Sequence, residues 1–289
     1  MTGRCCYQFR ARDRSLALGV QTRIMGIINA TPDSFSGDGR LKAKDPVRSA
    51  LRMAKSMCTD GADIIDIGGE STRPNACAVS SIEECRRVVP IIEALASSGI
   101  DVIISVDTSK ACVAKDALKA GAHLVNVVQS NALSRGLLRI VRDHDAGIVL
   151  MHMRGTPRTM QTKSRYRKFI PEVLRELDRA ARTALEAGIE RNRMIVDPGI
   201  GFAKTAGQNF MLIKRLNDLN TLGFPILVGP SRKSFIGTLL GLEPSQRLFG
   251  TVSAAVASVM TGAHIVRVHD VLAVKQAVTV ADAILSGGE

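Results

Sequence analysis

The chain is poor in aromatic residues and has no tryptophan. Aromatic side chains make up 3% of its 289 residues, and the two tyrosines are Tyr7 and Tyr166. Proteins that bind single-stranded nucleic acid stack bases on aromatic side chains, so this scarcity argues against that class. The formal net charge is +12, but the Lys and Arg residues are scattered. Their densest cluster, 154–168, indicates a solvated basic loop or a surface that attracts anionic substrates. We therefore expect no nucleic-acid partner.

Disulfide, zinc and membrane patterns are also missing. The six cysteines include no C-x-x-C pair, which predicts reduced thiols in a cytoplasmic protein. No apolar run approaches the roughly 18 residues of a membrane span, so no membrane association is expected. Residues 1–22 carry Arg but no real apolar core of a signal peptide. They are interpreted as a loose N-terminal extension.

Apolar runs typical of strands alternate with amphipathic stretches typical of helices. Strands are predicted at 23–29, 63–67, 102–106, 123–128, 147–152, 193–197, 225–229 and 264–268, and helices at 45–60, 81–98, 110–120, 131–145, 170–188, 207–220, 245–261 and 270–286. Continuous hydrophobicity favours parallel strands that are covered on both faces. Eight such units, with no G-x-G-x-x-G after the first strand, predict an α/β fold of the (β/α)8 TIM-barrel type. A single barrel domain is expected over 23–289.

Polar residues lie at or just past the C-terminal ends of nearly every predicted strand. They are Asn29, Asp66, Asp107, Asn126, His152, Asp197, Ser231 with Arg232 and Lys233, and Arg267 with His269. Each one alone is explained by a helix cap or a turn. Together they favour a functional site, because the carboxyl ends of barrel strands converge on one face.

Seven short segments around these residues closely resemble the signature blocks of the dihydropteroate synthase family, in the family's order. The segments are 29–36 (NATPDSFS), 68–74 (GGESTRP), 106–110 (VDTSK), 150–155 (LMHMRG), 197–204 (DPGIGFAK), 229–234 (GPSRKS) and 267–270 (RVHD). The resemblance implies an enzyme that joins 6-hydroxymethyl-7,8-dihydropterin pyrophosphate to p-aminobenzoate in folate biosynthesis.

The resemblance assigns Asp107, Asn126, Asp197 and Lys233 to the pterin pocket. Carboxylates accept hydrogen bonds from pterin N–H groups, while Asn and Lys can meet its carbonyl and ring nitrogens. Lys233 near Asp197 is also consistent with a structural ion pair, and both roles can hold together. Catalytic roles fall to Lys233, Arg267 and Asp107.

Pyrophosphate binding is assigned by the same resemblance to Arg267, His269 and Asn29. Arg presents forked donors that suit phosphate oxygens. Asn29 is expected to help hold a Mg²⁺ that bridges the two phosphates, since Mg²⁺ takes oxygen ligands and keeps several waters. Mg²⁺ is the one cofactor expected.

The p-aminobenzoate and sulfonamide pocket is assigned to Thr72, Arg73, Pro74 and Ser234. Loops at 31–39 and 71–75 are expected to close over the reactants. Sulfonamides are expected as inhibitors, and a homodimer is expected through the last helices, including the Ala-rich run 252–261.

The match departs from the family pattern at two places. Asp38 lies one position later in the first loop than in the family, which puts its role beside the reactive carbon in doubt. Val127 follows Asn126 where the family usually has Asp, and it is interpreted as packing between barrel and helix.

Three alternatives remain beside the synthase. A methyltetrahydrofolate methyltransferase-like barrel shares the pterin residues but binds no pyrophosphate, so Ser231–Lys233, Arg267 and His269 argue against it. A non-enzymatic paralogue is possible, although its catalytic set is not visibly depleted. A nucleic-acid binder lacks any recognisable motif.

Overall fold

The computed structural model describes residues 4–31, 45–71 and 78–287. Within them, eight parallel strands form the barrel that the sequence predicts. The barrel strands are β3 (Arg23–Asn29), β4 (Ile64–Gly68), β5 (Ile103–Asp107), β6 (Leu124–Val127), β7 (Gly147–Met151), β8 (Met194–Asp197), β9 (Leu227–Val228) and β10 (Ile265–Val268). Strands β3 to β8 pair in sequence order, and β10 pairs with both β3 and β9. A parallel bridge between Val196 and Ile226 joins β8 to β9 and closes the barrel.

Helices surround the barrel. They are α1 (Pro46–Thr59), α2 (Ser81–Ala96), α3 (Ala111–Lys119), α4 (Arg135–Asp143), α5 (Phe169–Glu186), α6 (Ala206–Lys214), α7 (Ser234–Leu240), α8 (Leu248–Met260) and α9 (Val271–Ser286). The predicted helix at 207–220 ends early, at Lys214, and continues as a 3-10 segment from Leu216 to Leu222. The short helix α7 was not predicted, because seven residues give too little periodicity. In the described parts, none of these helices is long and apolar enough to span a membrane.

Alternation along each strand separates two faces that are both apolar in the sequence. Outward residues such as Ile65, Ile67 and Val127 pack against the helices in one large core. The lower inward layer takes one aliphatic residue from every strand: Met25, Ile64, Ile103, Leu124, Val149, Ile195, Leu227 and Ile265. Two residues further along each strand is the upper inward layer: Ile27, Asp66, Ser105, Asn126, Met151, Asp197, Gly229 and Arg267. The barrel is thus sealed below and polar above.

The N-terminal segment closes the lower end of the barrel. Strands β1 (Tyr7–Ala11) and β2 (Arg14–Leu18) form an antiparallel hairpin. Its Phe9, 1% exposed, packs with Leu18 against the lower inward layer. Arg4 anchors the segment through an ion pair of 2.5 Å with Asp282. The interpretation of residues 1–22 as loose is therefore wrong for the described part, because an apolar face covers the barrel.

Candidate active site

Asp66 is the buried centre of the upper inward layer. Its carboxylate is 0% exposed. Oδ1 accepts from the Ser105 hydroxyl at 2.5 Å, and Oδ2 accepts from Asn126 Nδ2 at 2.9 Å and from Arg267 Nε at 2.6 Å. A buried carboxylate is tolerated when its oxygens are satisfied in this way. From the sequence, Asp66 is predicted only to be a polar residue at a strand end, without an assigned role. An Asp inside a buried apolar strand was the available signal.

Arg267 joins two carboxylates from neighbouring strands. Besides its bond to Asp66, its Nη2 donates to Asp107 Oδ2 at 3.0 Å. Because a guanidinium is planar, these two contacts fix its orientation at the end of β10. The structure therefore brings the predicted residues Asp107, Asn126 and Arg267 together.

Burial shapes the proton affinity of the pocket carboxylates. It raises the pKa of Asp107, although the nearby Arg267 opposes the shift. Burial likewise raises the pKa of Asp197 to about 6, opposed by the Gly199 N–H and by the charge of Lys233. Asp197 Oδ1 accepts from Gly199 N at 2.7 Å. Hydrogen-bond donors from a ligand would favour the ionised form of both groups.

In the described part of the chain, a pocket opens above these groups. Its lining consists of Asp107, Asn126, Val128, Met151, Asp197, Ile200, Phe202, Gly229, Lys233 and Arg267. Lys233 caps α7, and its Nζ lies 3.8 Å from the centre of the Phe202 ring. An ammonium over an aromatic face is attracted by the ring quadrupole. The pocket thus combines apolar walls, two carboxylates, an amide and two cations.

A second group of predicted residues lies at the ends of β3 and β10. Asn29 Nδ2 is 3.4 Å from His269 Nε2. The Ser231 Oγ accepts from the His269 backbone N–H at 3.2 Å and is 2.9 Å from His269 Nδ1. The Asn29 Nδ2 group can only donate, so Nε2 accepts from it; the ring proton then resides on Nδ1 and is donated to the Ser231 hydroxyl, which has lone pairs for both contacts.

Magnesium would have to be held by few protein ligands. Among the described residues, no group of three or more His, Cys, Asp or Glu side chains is placed to bind a metal ion. Asn29 offers an amide oxygen, which suits a Mg²⁺ that draws its other ligands from phosphates and water. The donor set therefore fits a metal that arrives with an anionic substrate.

The other predicted residues are placed less completely. Ser234 is the exposed first residue of α7, directly after Lys233. Thr72, Arg73 and Pro74 lie outside the described residues, as does Asp38. Most of the two predicted closing loops, 31–39 and 71–75, also lies outside them. Val127 is 1% exposed and packs in the core between barrel and helices, as its interpretation required.

The chain matches known proteins over nearly its whole length. The family described as pterin binding enzyme matches residues 25–269. A dihydropteroate synthase of Synechocystis is 46% identical over 92% of this chain and 91% of the relative, and that of Escherichia coli K12 is 43% identical over 92% and 93%.

Solved structures agree. A Yersinia pestis dihydropteroate synthase in a sulfonamide drug complex has a TM-score of 0.89 at 41% identity and covers 96% of this chain and 99% of its own. A Xanthomonas albilineans dihydropteroate synthase with 4-aminobenzoic acid has a TM-score of 0.88 at 40% identity, covering 97% and 98%. With the pocket and these matches together, the chain belongs to the pterin binding enzyme family, among the dihydropteroate synthases.

Proposed function

We propose that this pocket condenses 6-hydroxymethyl-7,8-dihydropterin pyrophosphate with p-aminobenzoate, giving 7,8-dihydropteroate and pyrophosphate. The enzyme is a transferase of folate biosynthesis. The observation that carries the assignment of roles is the convergence of Asp107, Asn126, Asp197, Lys233 and Arg267 on one pocket from separate segments of the barrel.

The pterin ring is held by groups of complementary polarity. Asp107 and Asp197 accept from its amino and ring N–H groups, and Lys233 donates to its carbonyl and ring nitrogen. One N–H of Asn126 Nδ2 donates to Asp66, which leaves the amide oxygen and the second N–H for the ligand. Phe202 and Met151 supply apolar contact with the ring.

Departure of pyrophosphate breaks the bond between the pterin methylene carbon and oxygen, and the amine of p-aminobenzoate then forms the C–N bond and loses a proton. Arg267, His269 and Asn29 stabilise the leaving anion. His269 lies 3.4 Å from Asn29 Nδ2 and 2.9 Å from Ser231 Oγ, and its ring, when protonated on both nitrogens, donates from Nε2 to a phosphate oxygen. Asp107 and Lys233 hold the pterin while its carbon becomes electron-poor. Arg267, Lys233 and Asp107 are thus the catalytic residues.

Asn29 is the protein ligand that we propose for Mg²⁺. When bound, this ion neutralises charge on the two phosphates and strengthens pyrophosphate as a leaving group. Asn29→Ala should therefore weaken the Mg²⁺ dependence of pyrophosphate binding, which calorimetry can measure without turnover. An unchanged dependence would remove Asn29 from the metal site.

The p-aminobenzoate site is proposed at Thr72, Arg73, Pro74 and Ser234, and sulfonamides are proposed to compete there. Support comes from the complexes of the related Xanthomonas and Yersinia enzymes with 4-aminobenzoic acid and a sulfonamide. We expect the sulfonamide concentration that gives half inhibition to rise as the p-aminobenzoate concentration rises. Inhibition independent of p-aminobenzoate would contradict it.

A homodimer through the last helices is also proposed. Phe249, at the start of α8, is 83% exposed, and Leu239 and Leu240 of α7 are 67% and 48% exposed. Apolar patches of this kind commonly mark protein interfaces. Light scattering at micromolar concentration should give twice the chain mass, and Phe249→Glu should shift it toward one. A monomeric mass for the wild type contradicts the proposal.

The cytoplasm is the proposed compartment. Cys5, Cys6, Cys58, Cys85 and Cys112 are all free thiols in the structure. Reduced cysteines are typical of proteins kept in a reducing compartment. Thiol titration of freshly purified protein under denaturing conditions should find them all reduced; oxidised pairs would contradict the assignment.

The decisive test is pyrophosphate release from the pterin substrate with Mg²⁺, with and without p-aminobenzoate. Release accompanied by dihydropteroate, and abolished in Lys233→Ala and Arg267→Ala, is expected. The exposed Lys214→Ala is the matched control and should retain full activity. Pterin binding without any turnover would instead favour a non-enzymatic paralogue.

A further inference from the structure

Lys204 lies behind the pocket and is only 4% exposed. Its Nζ is 2.9 Å from Gly199 O, 2.9 Å from Phe202 O and 3.0 Å from His152 Nδ1. An ammonium has three N–H donors, and two of these contacts are carbonyl oxygens that can only accept. The remaining question is whether His152 also accepts.

The neighbours of His152 answer that question. Its Nε2 is 3.0 Å from Glu176 Oε2. Glu176 is ionised, because hydrogen bonds from His152 and Arg154 outweigh its burial and lower its pKa to about 2. A carboxylate only accepts, so Nε2 carries the ring proton and Nδ1 accepts from Lys204. Burial lowers the pKa of His152 to about 4, consistent with this neutral ring.

The charge of Lys204 is balanced by carboxylates on both sides. Burial lowers the pKa of Lys204 to about 7, whereas Asp197 and Glu176 oppose that shift. Glu176 is itself held by Arg154, which also pairs with Glu172 at 2.8 Å. Lys204 therefore links the pocket to the ion pairs of α5.

Residues 199–203, whose carbonyls Lys204 binds, include two glycines and three residues in the left-handed backbone region. Gly199 and Gly201 have φ of +71° and +85°, and Ala203 has φ of +50°. A Cβ on Gly199 would lie 2.0 Å from the His152 carbonyl oxygen. Such backbone conformations persist when surrounding contacts determine them. Lys204 supplies two of those contacts.

Both tied carbonyls adjoin groups of the pocket. The Gly199 N–H donates to Asp197 Oδ1 at 2.7 Å. Phe202 carries the ring that lies 3.8 Å from Lys233 Nζ. Movement of this segment would thus displace the carboxylate and the aromatic support of the ammonium together.

We propose that Lys204 is a positioning residue for the pterin pocket, acting by tying the Gly199 and Phe202 carbonyls to His152. This rests on the function proposed above. Lys204 does not touch the substrate; it sets the geometry of Asp197 and Phe202. Asn209 also holds the Gly201 N–H and Tyr166 the Ala203 carbonyl, whereas Lys204 is the side chain that donates to the Gly199 and Phe202 carbonyls.

The test compares Lys204→Met with Lys214→Met, an exposed control in α6, by calorimetric binding of the pterin pyrophosphate without p-aminobenzoate. Losing the ties should weaken binding by roughly tenfold or more, as expected for buried acceptors left without donors. Lys214→Met should bind like the wild type. Wild-type protein that binds no pterin would refute the proposed function itself, whereas equal binding by wild type and Lys204→Met would refute only the positioning role.

A double-mutant cycle separates positioning from general destabilisation. If Lys204 acts through Phe202, then Lys204→Met should weaken binding by less than about threefold in a Phe202→Ala background. Additive losses would overturn the proposal. Should Lys204→Met not fold, His152→Leu removes one of the three acceptors and should weaken pterin binding roughly threefold to tenfold; unchanged binding would count equally against it.

Discussion

The two inward layers of the barrel are separated by two residues on each strand, yet the lower one is apolar and the upper one carries charged and polar side chains. On β4, Ile64 packs below against Phe9, while Asp66 lies above in a network of Ser105, Asn126 and Arg267. The lower layer buries apolar surface, which stabilises the fold. The upper layer buries charge, which costs free energy unless it is paired. The residues that stabilise the fold therefore lie at the lower end of the barrel axis, and the residues of the candidate site lie at the upper end.

The same substitution at both levels of β4 should separate the two roles most sharply. Asp66→Ala removes the acceptor of Arg267 Nε and of Asn126 Nδ2, so that Arg267 is held by Asp107 alone, and it should lower turnover by roughly 100-fold or more. Ile64→Ala should instead lower the free energy of unfolding by about 2–5 kcal/mol and leave kcat unchanged. Steady-state kinetics and urea unfolding of both variants provide the measurement. Similar turnover in the two would break the comparison.

Substitution of Phe9 should affect the lower end of the barrel without affecting the candidate site. Phe9→Ala removes the ring that covers the lower inward layer and should cost about 3–5 kcal/mol of stability. Val20→Ala, in the same segment and 78% exposed, should change stability little. Pterin affinity of folded Phe9→Ala should match the wild type. A change in that affinity would mean that the hairpin reaches the site energetically.

This hairpin also shows where sequence reasoning fell short. Barrel strands and the residues at their ends were predictable, because each strand is a mainly apolar run with a polar residue at or near its C-terminal end. In residues 7–18, Tyr7, Phe9 and Ala11 alternate with polar residues, a strand pattern that is short and weak beside the long apolar runs of the barrel. The contact of Lys204 with His152, 52 residues away, could not be predicted, since no local pattern records which strand ends face each other.

Substitution of Asp197 measures the free-energy cost of burying an ionised carboxylate in the upper inward layer. Its folded pKa of about 6 lies above the ordinary value near 3.8, so the folded state binds this proton more tightly. Its contribution to stability is therefore fully present at low pH and is lost as the pH rises through about 6. Asp197→Asn keeps an oxygen for the Gly199 N–H, and should gain about 1–3 kcal/mol at pH 8 but nothing near pH 4.

The measurement for Asp197→Asn is thermal unfolding across that pH range, with pterin binding in parallel. Asp178→Asn, a carboxylate with a 42% exposed side chain, is the control and should show no such pH-dependent gain. Pterin affinity should fall in Asp197→Asn, so that stability and binding change in opposite directions. A loss of stability at pH 8 would show that Asp197 stabilises the fold as an ion.

Gly147 allows the smallest change in packing at the lower end, because β7 begins at this residue, against the hairpin. A Cβ at this position would lie 2.6 Å from Phe9 Cζ and 3.0 Å from Leu124 Cδ1. Gly147→Ala should therefore cost about 1–3 kcal/mol by overpacking. Gly207→Ala, in α6 with open space around it, should be neutral or slightly stabilising. If Phe9 is the obstacle, Phe9→Leu should relieve part of the Gly147→Ala loss, giving a non-additive cycle in urea unfolding. If the losses in free energy of unfolding are strictly additive, then β7 moves to accommodate the added Cβ and the Phe9 ring does not. The lower end would then be less rigid than its close packing indicates.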